Sequence, residues 1–187
     1  MPVRHVILDR DGVLNVEASG AGYVTGPEQW RWIPGALDAL AQLHQAGIRV
    51  SIVTNQSGIG RGVMTMTDLY AVHERMLSDS HRAGARITAV YVCPHAPDHG
   101  CACRKPAPGL ILKATLESGI NAQESLVVGD DLRDLAAAKG AGVEAALVLT
   151  GKGRAVVALR DPGVAVYDDL GALTRALIAT GGSREGS

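Results

Sequence analysis

Four short runs in this sequence carry the groups that chemistry needs. Asp9-Arg10-Asp11-Gly12 offers two carboxylates two residues apart, and Thr54-Asn55-Gln56-Ser57-Gly58 offers a hydroxyl and side-chain amides. Arg104-Lys105 is a pair of cations, and Gly129-Asp130-Asp131 adds two further carboxylates. Several carboxylates with other oxygen ligands suit a hard cation such as Mg²⁺, which keeps waters and helps to hold a phosphate. A Lys with hydroxyl or amide donors neutralises and binds the remaining phosphate oxygens. Phosphoryl transfer then requires an in-line nucleophile and a proton donor for the leaving oxygen. A carboxylate serves as nucleophile by forming an aspartyl phosphate. A second carboxyl two residues on protonates the leaving alkoxide and then takes a proton from the attacking water. Asp9 and Asp11 fit those two roles.

Each run also has a plainer explanation. Asp-Gly is a common turn pair, Thr54-Asn55 could close a strand, Arg104-Lys105 could be a solvated charge pair, and Asp130-Asp131 could cap a helix. A calcium loop of the Asp-x-Asp-x-Asp-Gly type is excluded, because it needs an oxygen ligand at position 13, which is Val13. The functional reading gains weight from where the runs stand: all four follow apolar segments of strand type.

Val6 to Leu8 is the first such segment. Side chains two apart along an extended chain point the same way, so Asp9 and Asp11 are expected to face one ligand together. Residues 16–32 mix Gly, Ser, Thr and Pro without a period and read as a loop or flap over the site. Pro34 begins a helix running to Gly47, and residues 48–53 form a buried strand. Residues 67–83 make an amphipathic helix with Thr67 as its cap. Residues 87–92 form a third strand, 108–118 a helix, 125–128 a strand, 132–139 a helix, 143–149 a fifth strand and 169–179 a closing helix, followed by a frayed tail over 181–187. Strands and helices alternating at this spacing predict an α/β fold, a parallel sheet with helices on both faces. In such sheets ligands bind beyond the carboxyl ends of the strands, which is where all four runs fall.

The three cysteines stand at 93, 101 and 103, too close together for a disulfide framework. With His95 they supply four soft or imidazole ligands in one short loop, a set that suits tetrahedral Zn²⁺ with no open position and hence a structural role. His99 is the alternative to His95. The last cysteine adjoins Arg104-Lys105, so a metal knot here would fix that pair.

The ordered set of Asp9-Arg10-Asp11-Gly12, the run from Thr54 to Gly62, Cys101-Ala102-Cys103-Arg104-Lys105-Pro106 and Gly129-Asp130-Asp131 resembles the haloacid dehalogenase-like (HAD) phosphatases, in particular the D-glycero-D-manno-heptose 1,7-bisphosphate 7-phosphatases. The resemblance spans roughly residues 4–150. It implies a Rossmann-like HAD fold over 1–180 as a single domain, with a small zinc-binding loop and no large cap domain. It implies Asp9 as nucleophile, Asp11 as general acid/base, Thr54 and Lys105 as stabilisers of the phosphoryl group, and Asn55 and Arg104 as substrate-binding residues. Mg²⁺ would sit on the Asp9 carboxylate, the Asp11 main-chain carbonyl and Asp130, and zinc on Cys93, His95, Cys101 and Cys103. Five residues separate His95 from Cys101, as in the related histidinol-phosphate phosphatases, and Asp131 stands where the heptose enzymes carry Lys.

The expected activity is therefore removal of the 7-phosphate from heptose 1,7-bisphosphate on the route to nucleotide-activated heptose for lipopolysaccharide. Histidinol phosphate is the alternative substrate. A polynucleotide 3′-phosphatase shares the Thr-Asn-Gln run, but 18 Lys plus Arg against 19 Asp plus Glu give a net charge of −1, with no general attraction to nucleic acid or membrane. A zinc-stabilised binding module without turnover would be free to lose one of the paired aspartates, and both are present. Composition is that of an ordinary globule, 47% hydrophobic with no Phe, so the core should be aliphatic. No apolar run reaches membrane-span length and no signal-type segment opens the chain, so the expectation is a cytoplasmic monomer acting on a small phosphosugar.

Overall fold

The computed structural model describes residues 2–18 and 22–182. Six parallel strands form one sheet: β1 (His5–Leu8), β2 (Arg49–Asn55), β3 (Ile87–Cys93), β4 (Ser125–Gly129), β5 (Glu144–Val148) and β6 (Ala165–Tyr167). Their order is β3-β2-β1-β4-β5-β6. The chain thus builds outward from β1 to one side, then crosses back to build the other. The crevice beyond the carboxyl ends of β1, β2 and β4 is the switch point at which such sheets bind ligands.

Alternation along the central strands divides the core in two. Val6 and Leu8 of β1, Val50 and Ile52 of β2 and Val128 of β4 pack against α1 (Ala36–Gln45), α3 (Met66–Arg82) and α7 (Leu170–Gly182), through Leu40, Leu43, Val72, Met76 and Leu173. Ile7, Val53 and Val127 face the other way, onto Leu110, Ile111 and Ala114 of α4 (Gly109–Ser118) and Ala137 and Ala138 of α5 (Leu132–Ala141). Two short helices, α2 (Ser57–Gly60) and α6 (Gly153–Val156), follow β2 and β5. A strand buried on both faces stands at the centre of a three-layer α/β/α arrangement, which explains why β1, β2 and β4 read as continuous apolar runs.

The structure departs from the sequence expectations at several points; the first helix begins at Ala36, behind a left-handed Gly35, and not at Pro34. β6 was not expected: it has three residues, none fully buried, on the free edge of β5, too few to show a period. The cap of α3 is Thr65 and not Thr67; its hydroxyl accepts from Asp68 N while Asp68 accepts from Thr65 N, a capping box that places the start one residue beyond it. Residues 16–32 do not form a free flap throughout. Val24 and Trp30 are buried, Trp30 and Trp32 meet edge to face, and residues 14–16 hydrogen-bond with 31–33. Helix α7 runs on through Gly182, so the tail does not begin at 181; its expected portion 183–187 lies outside the described residues, as does the stretch 19–21 of the flap. Among the described residues no helix is long and apolar enough to cross a membrane.

Candidate active site

Extended backbone ends at Leu8. Beyond Asp9 the chain folds into a tight turn in which the amides of Val13, Leu14 and Asn15 all point to the Arg10 carbonyl. The expectation that Asp9 and Asp11 share one extended face therefore gives way to two different settings at the rim of one cleft. That cleft, about 280 Å³, is lined from four strand ends by Asp9, Asp11, Asn55, Lys105 and Asp130, among others.

Asp9 Oδ1 accepts from its neighbour's amide, Arg10 N, at 2.6 Å and contacts Lys105 Nζ at 2.9 Å. Lys105 is buried with its ammonium between Asp9 and Asp134 Oδ1, the latter at 2.7 Å, and it also donates to the Val53 carbonyl at 2.9 Å. Two ion pairs and one hydrogen bond thus hold the ammonium under the cleft floor. Asp9, Asp130 and Asp134 bring carboxylate oxygens within 4.8 Å of one another. Burial pushes the Asp9 carboxyl up to about 7, with the other carboxylates adding to the rise and Lys105 opposing it. Burial likewise pushes Asp130 up to about 6, against the Lys152 amide that donates to it at 2.8 Å. Two such buried oxygens beside an electropositive floor need a further cation before both ionise fully, which is the donor chemistry of a hard divalent ion. Asp134 belongs to the lysine instead: its Oδ2 also accepts from Asp131 N in the capping box of α5.

Asp11 is held differently. Burial opposes its ionisation, but Arg10 Nη2 at 2.9 Å, Asn15 Nδ2 at 2.9 Å and Gln56 Nε2 at 2.8 Å outweigh burial and keep its carboxyl below the ordinary range. Arg10 is itself buried, its guanidinium lying 5.8 Å from the Trp30 ring and 3.2 Å from His73 Nε2. Thr54 is fully buried, its hydroxyl accepting from the same Gln56 amide nitrogen at 2.8 Å. Asn55 lines the cleft, yet both ends of its amide engage the Lys105 main chain, at 3.0 and 3.1 Å, so it holds Lys105 in register. Arg104 lines the cleft and makes one long contact, 3.4 Å, to the His95 carbonyl.

The first loop is locked from the other half of the sheet. Thr150 donates to the Gly12 carbonyl at 2.6 Å, and a Cβ on Gly12 or Gly151 would collide with the Asp130 carboxylate. Both glycines have positive φ, 84° and 54°, so side chains are disfavoured there twice over. Three residues that sequence reasoning left out, Arg10, Gln56 and Asp134, thus hold the expected ones. The signal for Asp134 was its spacing of three from Asp131, a capping box.

Beside the cleft, Cys93, His95, Cys101 and Cys103 converge. Sulfur and Nδ1 atoms stand 3.3–3.6 Å apart across five of their pairings, and none of the cysteines is in a disulfide. Tetrahedral zinc with bonds of about 2.3 Å would space its ligands by about 3.8 Å, so four protein ligands fit with slight expansion. His99, the alternative, lies outside this group, its ring 5.5 Å from that of His95.

Comparison with known proteins agrees with this geometry. A D-glycero-β-D-manno-heptose-1,7-bisphosphate 7-phosphatase of Bordetella bronchiseptica is 41% identical over 92% of this chain and 97% of its own length. The chain belongs to the D-glycero-β-D-manno-heptose-1,7-bisphosphate 7-phosphatase family. A member of that family from Pseudomonas putida is 41% identical over 92% of this chain and 98% of its own. The HAD-hydrolase-like family matches residues 102–173. The crystal structure of a D,D-heptose 1,7-bisphosphate phosphatase from B. bronchiseptica, complexed with magnesium and phosphate, superposes with a TM-score of 0.89, covering 95% of this chain and 99% of that one at 39% identity.

Proposed function

We propose that the chain is a phosphatase that removes the 7-phosphate of D-glycero-D-manno-heptose 1,7-bisphosphate through an aspartyl-phosphate intermediate. The observation that carries this reading is Asp9 held by Lys105, which Asp134 anchors from the other side, beside Asp130 at the switch point of the sheet, in a chain of this heptose phosphatase family. Asp9 attacks phosphorus, the bond from phosphorus to the sugar oxygen breaks, and that oxygen takes the proton of Asp11. Water then attacks the aspartyl phosphate, gives its proton to Asp11 and releases inorganic phosphate, restoring the Asp9 carboxylate.

Lys105 faces the phosphoryl group from below, and its fixed ammonium stabilises charge that develops there without reorganising. The Gln56 amide joins Thr54 to Asp11, so the stabilising hydroxyl and the acid/base move as a unit. Arg10, Asn15 and Gln56 hold Asp11 ionised, the form needed to accept water's proton; the proton it gives to the leaving oxygen in the first step is taken up from solvent beforehand. Mg²⁺ bound at Asp9, Asp130 and the Asp11 carbonyl would supply charge neutralisation and phosphate orientation. Zn²⁺ on Cys93, His95, Cys101 and Cys103 would pin the loop carrying Arg104 and Lys105. We assign the enzyme to the cytoplasm as a monomer, in the formation of nucleotide-activated heptose.

The test is phosphate release with Mg²⁺ from both anomers of the heptose bisphosphate and from histidinol phosphate at equal concentration. A preference of a hundredfold in kcat/KM, about 2.7 kcal/mol, for a heptose anomer supports the proposal. The reverse preference replaces the substrate with histidinol phosphate and makes the five-residue spacing between His95 and Cys101 the better guide.

A further inference from the structure

One buried ionisable group touches a residue of the cleft lining without sharing in its chemistry. His73 stands on α3 with Leu69, Val72 and Met76, on the face that helix buries, and its Nε2 lies 3.2 Å from Arg10 Nη1. A guanidinium only donates, so the ring must accept there: it is neutral and carries its proton on Nδ1. Burial and the Arg10 charge act in the same direction, holding the imidazole down at about 4.

Arg10 passes this contact on to Asp11. Its Nη2 meets both carboxylate oxygens of Asp11, at 2.9 and 3.0 Å, and its Nε has no hydrogen-bond partner among the described residues. The guanidinium is therefore oriented by polar contacts at two places, Asp11 on one amino group and His73 on the other. Without the acceptor at Nη1 its one remaining polar partner among those residues would be Asp11, and it would follow that carboxyl instead of holding it. The ring beneath it is tied to the same helix: Trp30 meets Trp32 edge to face at 5.0 Å, and Trp32 Nε1 donates to Asp79 Oδ2 at 3.0 Å. Helix α3 thus grips Arg10 directly through His73 and indirectly through the two tryptophans.

We propose that His73 is a positioning residue of the reaction, which fixes the Arg10 guanidinium and through it the place from which Asp11 hands its proton to the leaving oxygen. This rests on the phosphatase reading of the site with Asp11 as acid/base. Asn15 and Gln56 also donate to Asp11, but His73 is the group that ties the acid to a helix on one face of the sheet. Proton transfer in the transition state is sensitive to such placement, because donor and acceptor must stand within hydrogen-bond reach when the bond breaks.

The experiment compares the heptose 1,7-bisphosphate with p-nitrophenyl phosphate, both with Mg²⁺, in H73N and H73Q. The ratio kcat/KM covers the steps up to the aspartyl phosphate, in which a sugar oxygen needs a proton to leave and a nitrophenolate does not. The Asn amide takes the place of the Nδ1 side of the ring and falls short of Arg10, whereas the Gln amide reaches the place of Nε2. H73N should lower kcat/KM for the heptose substrate at least about tenfold, through kcat, a part of the roughly hundredfold or more that a placed acid contributes. The nitrophenyl ester should change less than about twofold, and H73Q should stay near the parent on both substrates. If H73N lowers both substrates by the same factor, His73 supports the fold of the site and not the acid. If it changes neither, or if H73Q loses as much as H73N, the acceptor facing Arg10 does not place Asp11. Should H73N not fold by circular dichroism, H73L removes the acceptor without burying an amide; if neither folds, His73 is a stability residue and the proposal fails. A parent enzyme that hydrolyses the nitrophenyl ester but not the heptose bisphosphate overturns the substrate reading alone, and histidinol phosphate, also an alkyl ester, then takes its place in the comparison. A parent that hydrolyses none of the three overturns both.

Discussion

Replacing Lys105 with Met tests the architecture beneath the cleft more severely than any other single change. Methionine keeps the unbranched apolar stem, one atom shorter, and removes the ammonium. In the folded chain that ammonium contacts Asp9 at 2.9 Å and Asp134 at 2.7 Å; the lysine and Asp134 are buried, and Asp9 is only 12% exposed at the cleft. At an effective dielectric of about 20, contacts this close are each worth on the order of 6 kcal/mol before desolvation is subtracted. Removing one partner from such a buried arrangement typically costs about 3–5 kcal/mol net, because an uncompensated charge is left behind. Here two carboxylates lose their cation with Asp130 close by, so the upper half of that range applies. Lys105 is also the group that restrains the Asp9 carboxyl, so in K105M it rises above its present value of about 7 and Asp9 becomes largely protonated at neutral pH. Turnover should fall on the order of a thousandfold, from loss of the nucleophile's charge together with loss of phosphoryl stabilisation.

Urea unfolding without added metal, followed by phosphate release with Mg²⁺, separates the two effects. K105M should lose about 4 kcal/mol with the urea m-value unchanged. Adding Asp134→Asn should make the double variant more stable than K105M, since it removes one of the orphaned charges, while activity remains lost. A K105M midpoint within about 1 kcal/mol of the parent, or a double variant no more stable than K105M, would refute the claim that Asp134 exists to hold this lysine.

Asp9→Asn removes the proposed nucleophile and a carboxylate oxygen but little volume; the protein should stay folded by circular dichroism and release no phosphate, and retained turnover would exclude the role. Cys101→Ser should release bound zinc on elemental analysis and lower the melting temperature by several degrees, whereas an unchanged melt in protein that never held zinc would remove the metal knot. Burial holds His5 and His73 down at about 4 against an unfolded value of 6.5. The unfolded chain therefore binds these protons more readily, so the stability they protect is complete above about pH 6.5 and declines as pH falls toward 4, by roughly 3 kcal/mol for each. Urea midpoints between pH 7 and 4.5 should show a shallower decline in His5→Gln than in the parent; parallel curves would mean that His5 is not held neutral.

How much of this was legible without coordinates depended on whether the signal was local. The five longer strands announced themselves because each is an apolar run ended by polar residues, and their parallel arrangement followed from the helices between them. β6 could not be seen, since three half-exposed residues on a sheet edge carry no period. The error over the flap has the same origin: Trp30 and Val24 looked like loop residues, and only their burial against the core shows that the excursion is pinned at its return.

The site divides along the same line. Asp9, Asp11, Lys105 and Asp130 stand at strand ends and could be picked out by residue type and place. What positions them could not, because the partners come from distant parts of the chain or from positions of ordinary appearance. Asp134 looks like a first-turn helix acid, yet it anchors the lysine beneath Asp9. Thr150 and Gly151 sit 138 and 139 residues beyond Gly12, and they set the first loop by a hydrogen bond and by the absence of a Cβ that would enter the Asp130 carboxylate. A glycine required by another segment's approach leaves no mark that distinguishes it from a glycine required by a turn. The catalytic groups are therefore readable from local pattern, while the tolerance to which they are held is a property of contacts across the sheet, and it is there that K105M and Asp134→Asn act.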